Sequence, residues 1–186
     1  MRIIAGTFRG KKIFLPKDLN TRPLKDLTKE SIFNVISHSS KFKVDLENSS
    51  ILDLFSGVGS FGLECLSRGA KFVTFIENYR EVLPILKKNL DNLKNINNYK
   101  VIEKDIINEL NFNSLDQKFN LIFLDPPYKD KNLTNILQKI IDCKILYQNG
   151  IIIIHRHKNE KDKFPVNLKI IDEKKYGIAK ILFTTV

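Results

Sequence analysis

The chain has 186 residues, of which 42% are hydrophobic, and it carries a formal net charge of +10 at pH 7. This length and composition exclude a disordered chain and a small disulfide-stapled fold, and they predict a single domain over residues 1–186. The charge favours a polyanionic partner and the two isolated cysteines favour free thiols, so no metal site is expected.

Nothing near the first residue has the apolar stretch of a signal peptide, and the longest apolar run, residues 150–154, is far shorter than a membrane span. We therefore expect a cytoplasmic protein without a membrane partner.

The first 40 residues predict a basic N-terminal appendage. Two short strands, residues 2–4 and 12–15, would form a hairpin through Gly6 and Gly10. A helix over residues 26–36 would follow, with its apolar residues near one face. These residues are Leu27, Ile32, Val35 and Ile36.

Residues 50–186 predict a cofactor-binding and catalytic core. Near-continuous apolar strands alternate with helices, which is typical of a parallel sheet covered on both faces. The last two strands, residues 168–171 and 178–183, have no helix between them and predict an antiparallel hairpin at the sheet edge. The expected fold is doubly wound α/β. The other predicted strands are residues 51–55, 72–76, 99–102, 119–124 and 151–154, and the helices are one that ends near residue 68, residues 81–93 and residues 133–141.

A glycine-rich turn follows the first core strand, where such sheets bind ligands. Its glycines, Gly57, Gly59 and Gly62, have the spacing GxGxxG, and Glu77 ends the next strand 24 positions after Asp53 (77 − 53). A carboxylate there can accept hydrogen bonds from both hydroxyls of a ribose. The pattern fits a nicotinamide dinucleotide and also S-adenosylmethionine, whose ammonium group Asp53 would hold.

Three further residues are expected to bind the same cofactor. Phe55 lies within the glycine turn. Asp105, after the third core strand, would accept a hydrogen bond from the adenine amino group, and Ile106 would pack on the ring. A solvated turn aspartate is an equally good interpretation of Asp105.

The tetrapeptide Asp125-Pro126-Pro127-Tyr128 follows the fourth core strand and favours methyl transfer over hydride transfer. The amino nitrogen of a base is a poor nucleophile, and two acceptors against its hydrogens would aim its lone pair at a methyl group. Asp125 and the Pro126 carbonyl supply those acceptors, Pro127 restricts the backbone, and Tyr128 offers a face for base stacking.

Basic residues near the N-terminus are expected to contact phosphates. The first 29 residues contain eight lysines and arginines and two acidic residues. The predicted RNA-binding residues are Arg2, Arg9, Lys11, Lys12 and Arg22. His155 and His157, placed just past the fifth strand, are interpreted as RNA-contacting or solvated.

Several blocks resemble the bacterial 16S ribosomal RNA guanine-N2 methyltransferases of the RsmD type, and the likeness covers nearly the whole chain. The blocks are residues 1–6 with Arg9-Gly10, Arg22-Pro23 with Asp26, Glu30 and Phe33-Asn34, residues 52–70, residues 124–128 and residues 176–180.

The resemblance implies a Rossmann-like class I methyltransferase fold, with a mostly parallel seven-stranded sheet and an antiparallel C-terminal strand. It implies that Asp53, Gly57, Gly59 and Glu77 bind S-adenosylmethionine and that residues 125–128 perform the chemistry. The implied substrate is a guanine of small-subunit RNA, within an assembling or assembled subunit. A DNA adenine-N6 methyltransferase, a nicotinamide oxidoreductase and a non-catalytic RNA-binding module remain alternatives.

Overall fold

The computed structural model describes residues 1–17, 24–127 and 131–186. Its centre is a seven-stranded sheet flanked by helices. The strands are β1 (Ser50–Leu54), β2 (Phe72–Glu77), β3 (Tyr99–Glu103), β4 (Phe119–Leu124), β5 (Leu146–His157), β6 (Lys169–Tyr176) and β7 (Ala179–Thr185). The helices are α1 (Asp26–His38), α2 (Ser60–Ser67), α3 (Leu83–Asp91) and α4 (Leu133–Asp142), with a 3₁₀ turn at Phe112–Leu115.

The strand order is β3-β2-β1-β4-β5-β7-β6. Five neighbouring strands, from β3 to β5, pair in parallel, and β7 runs antiparallel between β5 and β6. The order reverses between β1 and β4, and this is the switch point where doubly wound sheets bind ligands. The predicted fold class is confirmed.

Two apolar clusters cover the two faces of the sheet. Helices α1, α2 and α3 pack on one face, whereas α4 and the 3₁₀ turn pack on the other. On the first face Phe61 of α2 stacks between Phe33 of α1 and Phe123 of β4, with ring centroids 5.1 and 4.0 Å apart. Each such pair contributes about 0.5–1.5 kcal/mol beyond its buried area, so the stack fixes α1 and α2 on β4.

The N-terminal segment folds back on itself as predicted, but its paired strands are shorter than expected. Backbone hydrogen bonds and an antiparallel bridge between Arg2 and Lys12 pair residues 1–3 with residues 10–13. The N–H groups of Ile4 and Ala5 donate instead to the buried Glu64 carboxylate of α2, at 2.7 and 2.9 Å. The pairing stops after residue 3 because α2 supplies the acceptor for the next two residues.

Helix α1 buries Ile32 and Ile36 as predicted, but its buried face does not include Leu27. Leu27 is 79% exposed, while Phe33, which the prediction omitted, is fully buried. Lys29 is also buried: its ammonium donates to the Arg2 carbonyl at 2.8 Å and lies 3.7 Å from Glu64. The apolar periodicity was misread because the aliphatic stem of Lys29 occupies a core position.

None of the helices in the described ranges is both long enough and apolar enough to cross a membrane.

Gly6 and Gly10 provide a matched test of how the N-terminal segment packs. Both have positive φ, +80° and +84°, so alanine costs each about 1–2 kcal/mol of backbone strain. An added Cβ at Gly6 would lie 1.8 Å from the Ser67 carbonyl oxygen of α2, whereas nothing lies within 4 Å at Gly10. We expect Gly6→Ala to reduce the free energy of unfolding by about 1–3 kcal/mol more than Gly10→Ala, measured by urea denaturation. Equal losses would contradict this packing.

Candidate active site at the carboxyl edge of the sheet

The parallel register brings the ends of three strands to one level. Leu54 of β1 pairs with Ile76 of β2 on one side and with Leu124 of β4 on the other. The following residues, Glu77 and Asp125, therefore lie at the same edge. With strands about 4.8 Å apart, their Cα atoms are separated by roughly 10 Å, since only β1 lies between them.

Strand β5 ends beside β4 at the same edge of the sheet, and its His155 lies on the same face as Glu77 and Asp125. Leu124 pairs with Ile154, so His155 stands beside Asp125. Side chains alternate along a strand, which places Glu77, Asp125 and His155 on the face that carries α1, α2 and α3. We call Glu77, Asp125 and His155 the edge row.

The glycine loop lies over the middle of the edge row. Phe55, Gly57 and Gly59 all have positive φ, at 59°, 54° and 81°. Nothing lies within 4 Å of an added Cβ at Gly57, so the backbone there is open to a ligand. A non-glycine residue with positive φ is strained, and such strain is found at ligand sites. The loop therefore has the open, strained backbone that is found at ligand sites.

Glu77 accepts hydrogen bonds from the glycine loop and from the two residues that follow β2. One carboxylate oxygen accepts from the Gly57 N–H at 2.7 Å, and the other accepts from Asn78 and Tyr79 N–H at 2.9 Å each. A carboxylate has about four lone-pair positions, so three backbone donors leave capacity for a hydroxyl donor. Glu77 thus links the glycine loop to any sugar bound beside β2.

Asp53 is a buried carboxylate directly beneath the loop. Its Oδ2 accepts from the Gly62 N–H at 3.0 Å, and within the described residues its Oδ1 has no hydrogen bond. Burial raises the pKa of the Asp53 carboxyl well above its usual range, opposed by the Gly62 N–H and reinforced by the charges of Asp125 and Glu77. An under-satisfied buried carboxylate is the arrangement that a cationic ligand would relieve.

Asp105 and Ile106 are more closely tied to the protein than predicted. Asp105 Oδ1 accepts from the N–H groups of Ile107 and Asn108, and Oδ2 accepts from the Asn78 amide. Asp105 therefore caps a turn and is not merely solvated. Ile106 is buried in the apolar cluster beneath α4. Their expected adenine contacts stay predictions.

The acceptor motif, Asp125-Pro126-Pro127, follows β4 at the centre of the edge row. The Asp125 side chain is 21% exposed, and its Oδ1 lies 2.7 Å from His155 Nδ1. Pro126 is buried and Pro127 is exposed. Tyr128, predicted as the stacking ring, lies outside the described residues.

Known proteins resemble this chain over nearly its whole length. A family model described as conserved hypothetical protein 95 matches residues 1–185. The chain is 33% identical over 184 residues to ribosomal RNA small subunit methyltransferase D of Haemophilus influenzae, covering 96% of this chain and 90% of that protein. It is also 33% identical over 181 residues to the protein of the same name from Escherichia coli, covering 95% and 85%.

The chain belongs to the family of these ribosomal RNA small subunit methyltransferases D. The resemblance drawn from the sequence is confirmed. A solved Escherichia coli structure described as a methyltransferase, yhhF, superposes with a TM-score of 0.78 at 31% identity, covering 99% of this chain and 96% of that one.

Sequence reasoning missed two residues at the end of β5. His155 was interpreted as solvated or RNA-contacting, yet it is buried against Asp125. Arg156 was not singled out, yet it is 1% exposed and its Nη1 donates to the Pro127 carbonyl at 3.2 Å. The apolar run of β5 ends at Ile154, which hid the fact that the strand continues to His157. Continued alternation would have placed His155 on the face of Ile153.

The predicted RNA-binding residues are not equivalent. Arg2, Arg9 and Lys12 are exposed, whereas Lys11 is half-buried and donates to the Asn92 carbonyl at 2.7 Å. Arg22 lies outside the described residues. Lys11 therefore serves at least partly to fasten the N-terminal segment to the end of α3.

Asn89 of α3 joins this segment to the glycine loop. Its amide nitrogen donates to the carbonyls of Val58 and Phe14, at 3.0 and 3.1 Å, and its oxygen accepts from Phe14 N–H at 2.8 Å. Phe14 is thereby held beside the glycine loop, whereas Phe8 and Lys11 contact the carboxyl-terminal ends of α2 and α3.

One cavity in the described part of the chain lies apart from the edge row. A cavity of about 460 Å³ lies between α1 and β6 and includes His38 in its wall. Among residues 1–17, 24–127 and 131–186, no group of three or more histidines, cysteines or acidic residues is arranged to hold a metal ion.

Asp53 predicts how cofactor binding responds to pH. S-adenosylmethionine, expected from the sequence, carries an ammonium group that favours the carboxylate form. Because burial raises the pKa of Asp53 in the free protein, binding that favours the carboxylate releases a proton at pH values below that raised pKa. We expect affinity to increase as pH is raised from acidic values through the Asp53 titration, and then to level off.

Calorimetric titration in buffers of different ionisation heat measures both the affinity and the released proton. Asp53→Asn should remove the pH dependence, while Asp91→Asn, at the exposed end of α3, should retain it. A wild-type affinity that does not change with pH would contradict the role given to Asp53.

Proposed function

We propose that this chain transfers the methyl group of S-adenosylmethionine to the exocyclic N2 amino group of a guanine in 16S ribosomal RNA. The observation that carries the proposal is the edge row, in which Glu77 and Asp125 share one face and flank the glycine loop. The ribosomal substrate is supported by the names of the Haemophilus and Escherichia relatives, both small-subunit RNA methyltransferases.

The residues around the glycine loop fit the cofactor. Asp53 would hold its ammonium group, Gly57 and Gly59 would let the backbone approach it, and Glu77 would accept a ribose hydroxyl. Phe55, Asp105 and Ile106 complete the predicted binding set. When bound, S-adenosylmethionine supplies an electrophilic methyl group on a positively charged sulfur.

The acceptor motif would prepare the base. Asp125 and the Pro126 carbonyl accept the two amino hydrogens, which draws the nitrogen lone pair out of the ring. The amino nitrogen would take the methyl carbon as that carbon leaves the sulfur, and the proton that the nitrogen gives up would pass to the Asp125 carboxylate and then to solvent. Because Pro126 and Pro127 have fixed φ, little rearrangement is required to hold the acceptors in place.

Location, RNA context and domain organisation form part of the same proposal. We infer a cytoplasmic enzyme that meets its RNA within an assembling or assembled small subunit. Residues 1–186 act as a single methyltransferase domain, a view supported by the contacts of Ile4 and Ala5 with Glu64 and of Phe14 with Asn89. RNA enzymes act on unpaired or extruded bases, which suits a compact acceptor motif at an open edge.

A substrate comparison tests the function, with labelled cofactor offered to naked 16S RNA, small subunits and duplex DNA and the products identified by nucleoside analysis. We expect N2-methylguanosine from RNA or subunits. N6-methyladenine in DNA would replace the proposal with the DNA methyltransferase alternative. Thermal stabilisation by NAD rather than adenosylhomocysteine would favour an oxidoreductase, at about 2.7 kcal/mol for a hundredfold excess over Kd.

Asp125→Ala serves as the active-site variant in the same assay. Loss of one positioned acceptor should lower kcat by roughly 10²–10³-fold, the usual cost of removing a group that acts on the transition state. The cofactor Kd from calorimetry should change little, because Asp125 lies across β1 from Glu77. Asp91→Ala is the control. Undiminished turnover of Asp125→Ala would reject the assigned role.

The exposed basic residues predict a salt effect on RNA binding. Replacing Arg9 and Lys12 by glutamine should weaken binding and reduce the slope of log K against log salt by about 0.7 for each phosphate that is no longer neutralised. Lys144→Gln is the matched control, because Lys144 is exposed at the end of α4, on the opposite face of the sheet from the N-terminal segment. A slope identical to wild type in the double variant would confine Arg9 and Lys12 to solvation.

A further inference from the structure

The end of β5 contacts the acceptor motif from both faces of the sheet. His155 and Arg156 are consecutive, so their side chains project to opposite faces. His155 reaches Asp125, and Arg156 reaches the carbonyl of Pro127. Both β5 side chains are buried, at 6% and 1% exposed. The motif is therefore held at its first and third residues by one neighbouring strand.

The contact of His155 selects one oxygen of Asp125. An ionised carboxylate only accepts hydrogen bonds, so His155 Nδ1 must carry the hydrogen in the 2.7 Å contact with Oδ1. Within the described residues, Oδ2 has no hydrogen bond. The contact therefore turns the carboxyl group so that Oδ2 is left for a substrate amino group.

The contact of Arg156 restrains the backbone. Its guanidinium is itself fixed by Asp162, which accepts from Nε at 3.1 Å and from Nη2 at 2.8 Å. Asp162 is nearly buried, so the pair is shielded from solvent and its geometry is rigid. Nη1 then donates to the Pro127 carbonyl at 3.2 Å. This bond limits rotation of the peptide unit that follows the two prolines.

We propose that His155 and Arg156 are positioning residues for the acceptor motif: His155 orients the Asp125 carboxylate, and Arg156 with Asp162 fixes the Pro127 carbonyl. The proposal rests on the proposed function, since the motif must act on a substrate amino group. It deepens that function by giving the chemistry two supports that lie outside the tetrapeptide and on a different strand.

The physical need for such supports follows from the place of the motif. Residues 125–127 leave the sheet at its open edge, and Asp125 keeps only a long 3.4 Å backbone contact to the Leu54 carbonyl. Proline removes backbone donors at two successive positions, so this segment cannot be anchored through its own N–H groups. Side chains from β5 supply the missing anchors.

His155 is tested with a pair of variants. His155→Ala removes the donor and should lower kcat by roughly 100-fold, as expected for a misplacement of about 1 Å, with KM for RNA and the cofactor Kd within a few fold of wild type. His155→Asn should recover most of the activity, because its amide nitrogen is the same number of bonds from the backbone as Nδ1. His38→Asn, at an exposed histidine of α1, is the control.

Arg156 needs a paired change, because removing it alone would leave the Asp162 charge buried without its main partner. Arg156→Met combined with Asp162→Leu removes both charges together. Arg156→Lys keeps a cation but loses the fork that reaches both Asp162 and Pro127. We expect both proteins to fold and to bind cofactor, with kcat reduced by at least tenfold and KM for RNA little changed.

The outcomes separate this proposal from the proposed function. If the wild-type protein yields no N2-methylguanosine, the function fails. If the wild type is active and the folded His155→Ala and Arg156→Met/Asp162→Leu proteins keep wild-type kcat, the positioning role is overturned. Equal losses in His155→Asn and His155→Ala, or a loss confined to KM, would also overturn it. A kcat loss with rescue by asparagine supports it.

Discussion

The parallel register of β1 with β2 and β4 is the constraint on which the candidate site depends. A shift by one residue in either pairing would carry Glu77 or Asp125 to the opposite face of the sheet, because side chains alternate along a strand. The observed register places both carboxylates on the face of α2, where the glycine loop begins. Strand pairing thus brings Glu77, the glycine loop and the acceptor motif together. The pairing of β5 with β4 adds His155 at the same edge of the sheet.

Buried charge is the second organising feature of this protein. Asp53 lies under the glycine loop, Lys29 and Glu64 lie between α1 and α2, and Arg156 lies behind the acceptor motif. Burial lowers the pKa of Lys29, and the charge of Glu64 opposes that change. Such groups cost free energy unless they are paired, so a buried ion pair is more readily explained by the geometry it fixes than by stability. Here Glu64 and Lys29 fix the N-terminal segment and Arg156 fixes the acceptor motif, and both segments lack helix and extended strand.

These interactions also explain how the short N-terminal segment takes a fixed position on the rest of the domain. The N-terminal segment has too few residues for an independent core, and it depends on acceptors from α2 and α3 for its shape. Asn89 contacts both this segment and Val58 of the glycine loop. The segment that carries the basic residues is therefore linked, through Phe14 and Asn89, to the glycine loop.

The sequence by itself determined the alternation of strands and helices, the glycine turn with Glu77, and the acceptor motif, because these depend on local periodicity and on the special backbones of glycine and proline. It misjudged the exposure of Leu27, because Lys29 takes a core position on α1. It predicted longer strands in the N-terminal segment, because Ile4 and Ala5 find their acceptor on α2, about sixty residues away. Only the tertiary structure decided that His155 and Arg156 meet residues 125–127. The pairing of β4 with β5 creates that contact, and no local pattern in either strand encodes it.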